Sequence, residues 1–399
     1  MDVGFSRSKR IRSSTLTFMT RPFRSLLMLV ALFVLAGIGA SAQTDRILYI
    51  RVQLTTQQNI SLLFPGAHTT MYTDGTVLNR SEAALEWRIT ARDSKISIAT
   101  AQGSYDTGQA RLVFETGSDG LFQFAGRAYR GYAYLIAQGS SLTLVNSLPV
   151  EQYVQGVLPS EMPSSWPLEA LKSQAVIART YAMSRLNQVG EFDVCATERC
   201  QVYGGASAET YAGNEAVAAT DGLIVAWNNK PAETYFSADS GGYTASSKEV
   251  WGKDIPYLTA RPDPDSRWTG TDWTLTPSKG TIANAISRFA PRAGTYRSLR
   301  VVSRGDSGRI LKIEVVGTNA TVKLEDKDAY GFVRALGAKS SLVSVLSTAP
   351  LAISGSGNGH GVGLSQWGAR GLAARGWTYE QILGYYYVGV SLAGYTVSD

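Results

Sequence analysis

The chain has 399 residues, with 38 Lys and Arg against 32 Asp and Glu, a formal net charge of +6, and only two cysteines and two histidines. Six basic groups and one acid lie in the first 42 residues, so five of the six net charges belong to that segment and the remainder keeps +1. Such a remainder suggests no nucleic-acid footprint, which needs a clustered Lys/Arg face; with His68 and His360 the only histidines, a four-ligand Cys/His site would have to be assembled from afar, and no metal or cofactor is expected.

Residues 1–42 read as a secretory signal peptide. Arg7, Lys9, Arg10, Arg12, Arg21 and Arg24 form the basic region, Leu26 to Ile38 the apolar region, and Ala40-Ser41-Ala42 a small-residue cleavage site. The apolar stretch is shorter than the roughly 20 residues of a spanning helix, so an uncleaved signal anchor is the weaker alternative. Either way the chain is expected to leave the cytoplasm, for the periplasm, the cell wall or the medium. No cysteine stands at the cleavage point, so a lipoprotein is not indicated.

Residues 43–146 alternate apolar and polar positions in short runs (ILYIRVQL, KISIAT, ARLVFET, YAYLIA, SLTLVN), the pattern of a β-rich lobe. Scaffolding is its expected role. The alternative is a separate binding module, with Tyr129, Tyr132 and Tyr134 as candidate stacking faces.

Residues 147–262 hold the segment LPSEMPSSWPLEALKSQAVIARTYA. Prolines on both sides of Glu161 stiffen its loop, and Met162 and Trp166 can supply an apolar wall that raises a carboxyl pKa toward the range a general acid needs. A helix is predicted from Pro167 to Arg185, capped by Ser164 or Ser165, with Leu171, Ala175, Ala178 and Ala182 on one face. Lys172 and Arg179 share another side, either as a solvated basic surface or as ligands for carboxylate or hydroxyl groups. Cys195 and Cys200, an even and close pair in an exported chain, predict a disulfide; half of a zinc site is the competing reading. A helix over Glu209 to Thr220 and strands at Leu223 to Trp227 and Pro231 to Ser237 follow. In SADSGGYTASSKEVWG, Gly241-Gly242 suggests a tight turn or close backbone approach, with Ser240 among the neutral donors beside it. A serine nucleophile is the rival idea there, but the G-x-S-x-G elbow is absent.

Residues 263–348 change character: helix around Ile282 to Phe289, strands SLRVVSR, ILKIEVVG and ATVKLE, then helix Lys327 to Leu336. Residues 349–399 close the chain with GSGNGHGVGLSQWGARG. Its alternating glycines lack the Lys-Ser/Thr of a phosphate loop, and are expected to let backbone approach a substrate or the Glu161 loop. His360 can orient a substrate hydroxyl or the acid, Gln366 offers an amide, and Trp367 a stacking face.

Three blocks, YVQGVLPSEMPSSWPLEALKSQAVIARTYA, AETYFSADSGGYTASSKEVWGKDIPYL and GNGHGVGLSQWGARGLAARGWTYEQILGYYY, resemble in order the stage II sporulation protein D (SpoIID/LytB) family, from about Gly126 to Leu392. The resemblance implies an exported peptidoglycan lytic transglycosylase that acts on glycan strands, with the Glu of PSEMP, here Glu161, as single general acid/base. Beside it, Ser160, Lys172, Arg179, Ser240, Gly241, Gly242, His360, Gln366 and Trp367 are the expected substrate contacts. The alternative is a non-catalytic wall-binding modulator that stimulates a peptidoglycan amidase, as the LytB name implies for some members; that enzyme would then be a partner. The expected fold is α+β: a β-rich N-terminal lobe, then a mixed α/β catalytic core with an inserted or appended α+β lobe.

Overall fold

A computed structural model describes residues 47–398 except 118–119, 187–188 and 267–269, together with the backbone of a strand at Ser14–Met19. The apolar region and cleavage site read as a signal peptide lie outside the described residues. The protein is α+β.

Two antiparallel-rich sheets face one another in the N-terminal lobe. One runs Arg127–Arg130, Leu121–Phe124, Asn59–Phe64, Leu85–Arg92, Lys95–Thr100, Gly103–Asp106. The other runs Val194–Cys195, Tyr49–Gln57, Ser141–Pro149, Tyr132–Gln138, Arg111–Thr116, His68–Met71, Val77–Ser81. The period of two is visible in burial: in Asn59–Phe64 every second residue is inside. Phe64 of the first sheet stacks on Phe114 of the second at 5.2 Å between ring centroids, and Trp87 meets Phe114 edge-on at 5.6 Å. His68 is a core residue here, accepting from Trp87 Nε1 at 2.8 Å, and burial lowers its pKa. Tyr129 is also buried, which removes it as a glycan-stacking candidate; Tyr132 and Tyr134 stay half-buried on the outer face.

Ser141–Pro149 leads straight into helix α1, Val150–Glu161. Its buried residues Val150, Tyr153, Val154, Val157 and Leu158 recur at helical spacing. Helix α2, Leu168–Ser184, begins after Pro167, which stands at the N-cap without a side-chain cap; Ser164, a predicted cap, instead bonds Thr210 Oγ1 at 2.9 Å. The helix is buried on more than the one face predicted. Leu171, Ala175, Ala178 and Ala182 face the N-terminal core, whereas Val176 and Ile177 face a second core with Val225, Val362, Leu364 and Leu372. Small residues let the surrounding helices approach: α1, α3 (Tyr211–Ala218), α7 (Gln366–Ala374) and α8 (Tyr379–Tyr386) all contact α2.

Between them, after helix α4 (Ser247–Trp251), lies a lobe with its own core. Helices α5 (Lys279–Phe289) and α6 (Asp326–Ala335) accompany the meander Tyr296–Arg304, Ile310–Gly317, Thr321–Glu325. A second small sheet, Asp272–Leu275, Leu351–Ser356, Val343–Thr348, closes it. Leu351 and Ile353 are part of this core, so the lobe continues through Ser356 and does not end at residue 348.

Candidate active site

Glu161 is the last residue of α1, not a member of a free loop. The helix runs through Pro159, and Met162 N–H closes it on Leu158 O at 3.0 Å. Its carboxylate therefore stands at the carbonyl end of a helix, where negative charge is disfavoured. Burial pushes the Glu161 pKa up; the opposing influence is the Val202 N–H, which donates to Oε1 at 2.8 Å. Glu161 forms no ion pair among the described residues.

The amide of Val202 is delivered by the cysteine loop. Val194–Cys195 pairs in parallel with Tyr49–Gln57, and Cys195 is disulfide-bonded to Cys200. The chain then returns beside α1: Gln201 Oε1 accepts from Tyr153 OH at 3.1 Å, Tyr203 N–H donates to Ala196 O at 3.2 Å, and Gly204 N–H to Gly156 O at 3.0 Å. That approach needs glycine at 156, where a Cβ would sit 2.6 Å from the Tyr203 ring. Sequence reasoning missed Val202, because a backbone amide carries no residue signature.

The distant C-terminal block reaches this helix end. Gln366, first residue of α7, donates through Nε2 to Glu161 O at 2.9 Å and approaches Gln174 Oε1 at 3.4 Å. Both of these bonds are made by the amide nitrogen, so that end of Gln366 is directed at protein and positions the end of α1. Trp367 is half-buried, with its ring 4.8 Å from Trp166 between centroids. Ser160 is exposed next to Glu161, its hydroxyl turned to Gly156 O at 3.4 Å. On the C-terminal half of α2, Tyr181 carries Arg185 over its ring at 3.6 Å, and the Glu161 charge adds to the raising of the Tyr181 phenol pKa that burial dominates.

Several expected contacts are not part of this site. Arg179 is 0% exposed and holds Glu151 in a two-point pair (2.7 and 2.6 Å) while donating to Leu223 O at 2.9 Å; it joins α1 to α2 and has no edge left for a glycan. Lys172 pairs with Glu169 at 2.7 Å, whose other oxygen accepts from Tyr379 N–H at 2.7 Å. Ser240 is buried, its hydroxyl donating to Asp263 at 2.6 Å. Gly241 and Gly242 turn their amides inward, onto Asp239 Oδ1 at 2.7 Å and Ser266 Oγ at 2.8 Å. His360 accepts the Val362 N–H at Nδ1 (3.0 Å), hydrogen-bonds the Phe236 backbone and packs at 5.2 Å against Trp251; no bond links it to Glu161. Burial and the positive charge of Arg309 push its pKa down to about 4.

The glycine run faces protein as well. A Cβ on Gly361 would lie 2.2 Å from Arg309, whose guanidinium donates to Ser240 O at 2.6 Å and Tyr243 O at 2.8 Å. Four carboxylates from the segment that follows α3, any of which would be a second acid or base if it stood free beside Glu161, are likewise engaged. Asp239 and Asp263 are buried in hydroxyl and amide bonds, Glu249 caps α4 and accepts from Ser307 N–H, and Asp265 pairs with Arg375.

Fold and site together define an α+β protein with a one-carboxylate candidate active site, built where a helix end, a disulfide-closed loop and the C-terminal block meet. The family model described as stage II sporulation protein (SpoIID) matches residues 138–227, and a domain of unknown function (DUF8618) matches residues 267–363. The chain is 35% identical to an uncharacterized protein of Brachyspira hyodysenteriae over 71% of its own length and 77% of that protein. It is 33% identical to stage II sporulation protein D of Bacillus subtilis, over 62% of this chain and 76% of that one. It is also 31% identical to the amidase enhancer of Bacillus subtilis, with 61% of this chain and 40% of that longer protein aligned. The chain belongs to the SpoIID family.

Proposed function

We propose that the protein is an exported lytic transglycosylase acting on peptidoglycan glycan strands, with Glu161 as its single general acid and base. The observation that carries this reading is the state of Glu161: half-buried, raised in pKa, steadied by one amide and, among the described residues, unpaired with any cation. Hydrolysis of a glycoside by the usual route requires a second carboxylate. A transglycosylase does not. Glu161 protonates the glycosidic oxygen between N-acetylmuramic acid and N-acetylglucosamine; the resulting carboxylate, held by Val202 N–H, takes the proton of the muramic C6 hydroxyl. That oxygen bonds to C1 as the glycosidic bond breaks, and a 1,6-anhydro ring forms. Because the nucleophile belongs to the same sugar, the step gains the effective concentration of an intramolecular reaction. The basic and apolar segments within residues 1–42 support export. Purified protein incubated with isolated glycan strands should release fragments ending in 1,6-anhydro-muramic acid, detected by mass spectrometry.

Likeness to the amidase enhancer favours a second reading, a wall-binding protein that stimulates a peptidoglycan amidase. It predicts no anhydro ends, and a faster amidase when the two proteins are mixed on cell walls.

A further inference from the structure

Trp166, Trp367 and Arg370 make an aromatic and cationic patch whose role the acid chemistry leaves open. Trp166 follows Glu161 by five residues, and Trp367 follows Gln366, which is bonded to Glu161 O at 2.9 Å, so both tryptophans belong to the segments that meet at the helix end carrying the acid. Their rings lie 4.8 Å apart at 56°, each half-buried. Arg370, one turn further along α7, is exposed, with its guanidinium 5.0 Å from the Trp367 ring and 5.8 Å from the Trp166 ring. Among the described residues it makes no ion pair or hydrogen bond, whereas nearby Lys172 and Arg375 are each paired with a carboxylate. A guanidinium resting on indoles keeps its N–H edge free and loses little freedom when it takes a planar, two-oxygen acceptor.

Resting on the function proposed above, we infer that Trp166, Trp367 and Arg370 form a subsite for a carboxylate-bearing sugar unit of the glycan strand. The indoles take the apolar face of the pyranose and Arg370 the carboxylate. Two groups on such a strand supply that chemistry: the lactyl ether of a muramic residue free of peptide, and the carboxylates of an attached stem peptide. Arg370 thereby becomes a specificity determinant for what the muramic residue carries.

The test measures binding by calorimetry to full-length protein carrying Glu161→Gln, with and without Arg370→Gln. Four soluble probes are compared: peptide-free strand oligomers, the same oligomers with the lactyl carboxyl converted to a methylamide, stem-peptide-bearing oligomers, and chito-oligosaccharides. Arg370→Gln is expected to weaken carboxylate-bearing probes about tenfold and to leave the methylamide and chito-oligosaccharide unchanged. The difference should shrink in about 1 M salt. Loss confined to peptide-free oligomers assigns the lactyl group, and loss confined to peptide-bearing ones assigns the peptide; both support the subsite. Equal losses on all four probes, no loss on any, or no binding by the Arg370 protein would overturn it. Cleavage is followed separately in protein with Glu161 intact. Absent anhydro ends alongside carboxylate-dependent binding would refute the transglycosylase reading and leave the subsite standing; normal cleavage with Arg370-independent binding would do the reverse.

Discussion

Replacing Glu161 by Gln separates its chemical from its structural role, because the amide keeps the shape and an oxygen able to accept the Val202 N–H now bonded at 2.8 Å. Retaining that bond preserves roughly 1 kcal/mol. What disappears is a carboxyl whose pKa burial has raised, and with it the cost of ionising a half-buried group at neutral pH. The sign follows from linkage. A folded-state pKa above the unfolded one means that the stability associated with Glu161 is fully present below the ordinary value of 4.5 and is lost as pH rises through the folded pKa. Glu161→Gln should therefore melt at or above the wild-type temperature at pH 7, and the difference should close as pH falls below 4.5. Glu161→Ala, which strands the Val202 amide, should instead lose about 1–3 kcal/mol. Glycan cleavage by Glu161→Gln should fall by about 10² to 10⁴, the usual range of general acid catalysis. Wild-type activity should decline with rising pH as the acid ionises. Calorimetric melting across pH, paired with quantification of anhydro ends, reads both effects. A Gln variant that keeps more than about a tenth of the activity would refute the role of Glu161 as proton donor.

Reducing the Cys195–Cys200 disulfide should loosen the segment that carries Val202, weaken the amide bond that lowers the Glu161 pKa, and shift the basic limb of the pH–rate profile upward. Two titratable thiols with an unmoved limb would show that the loop does not tune the acid. Arg179→Met should cost about 3 kcal/mol by stranding Glu151, and Arg179→Lys should recover little because one ammonium cannot replace the two-point pair. Denaturant unfolding measures it; a weakened glycan affinity at unchanged stability would restore Arg179 as a substrate contact. His360, with its pKa lowered from 6.5 to about 4, favours the fold above 6.5, and that contribution is lost as pH falls through about 4. Accordingly His360→Gln should show a shallower loss of stability over that acid range and no shift in the pH–rate profile; a shifted profile would mean that the imidazole does act on the acid.

The amino-acid sequence alone determined the elements whose pattern is local. Alternation in KISIAT and ARLVFET and the spacing of Leu171, Ala175, Ala178 and Ala182 follow from the pleat of a strand and the turn of a helix, which every neighbour in the chain can report. Glu161 stands out as a candidate for the same reason, since its PSEMP context is contiguous. Tertiary structure decided what each side chain is for. Arg179 and Ser240 look like polar ligands in a string of letters, yet both are buried, because their partners Glu151 and Asp263 lie 28 and 23 residues away. Leu351–Ser356 joins the inserted lobe only because its strand partners are Asp272–Leu275 and Val343–Thr348. Val202, Gln366 and Arg370 acquire their meaning from distance in the same way. Gln366 reaches the Glu161 carbonyl across 205 residues of chain, a contact that depends on how α7 packs against α2, and no local periodicity records where one helix rests upon another.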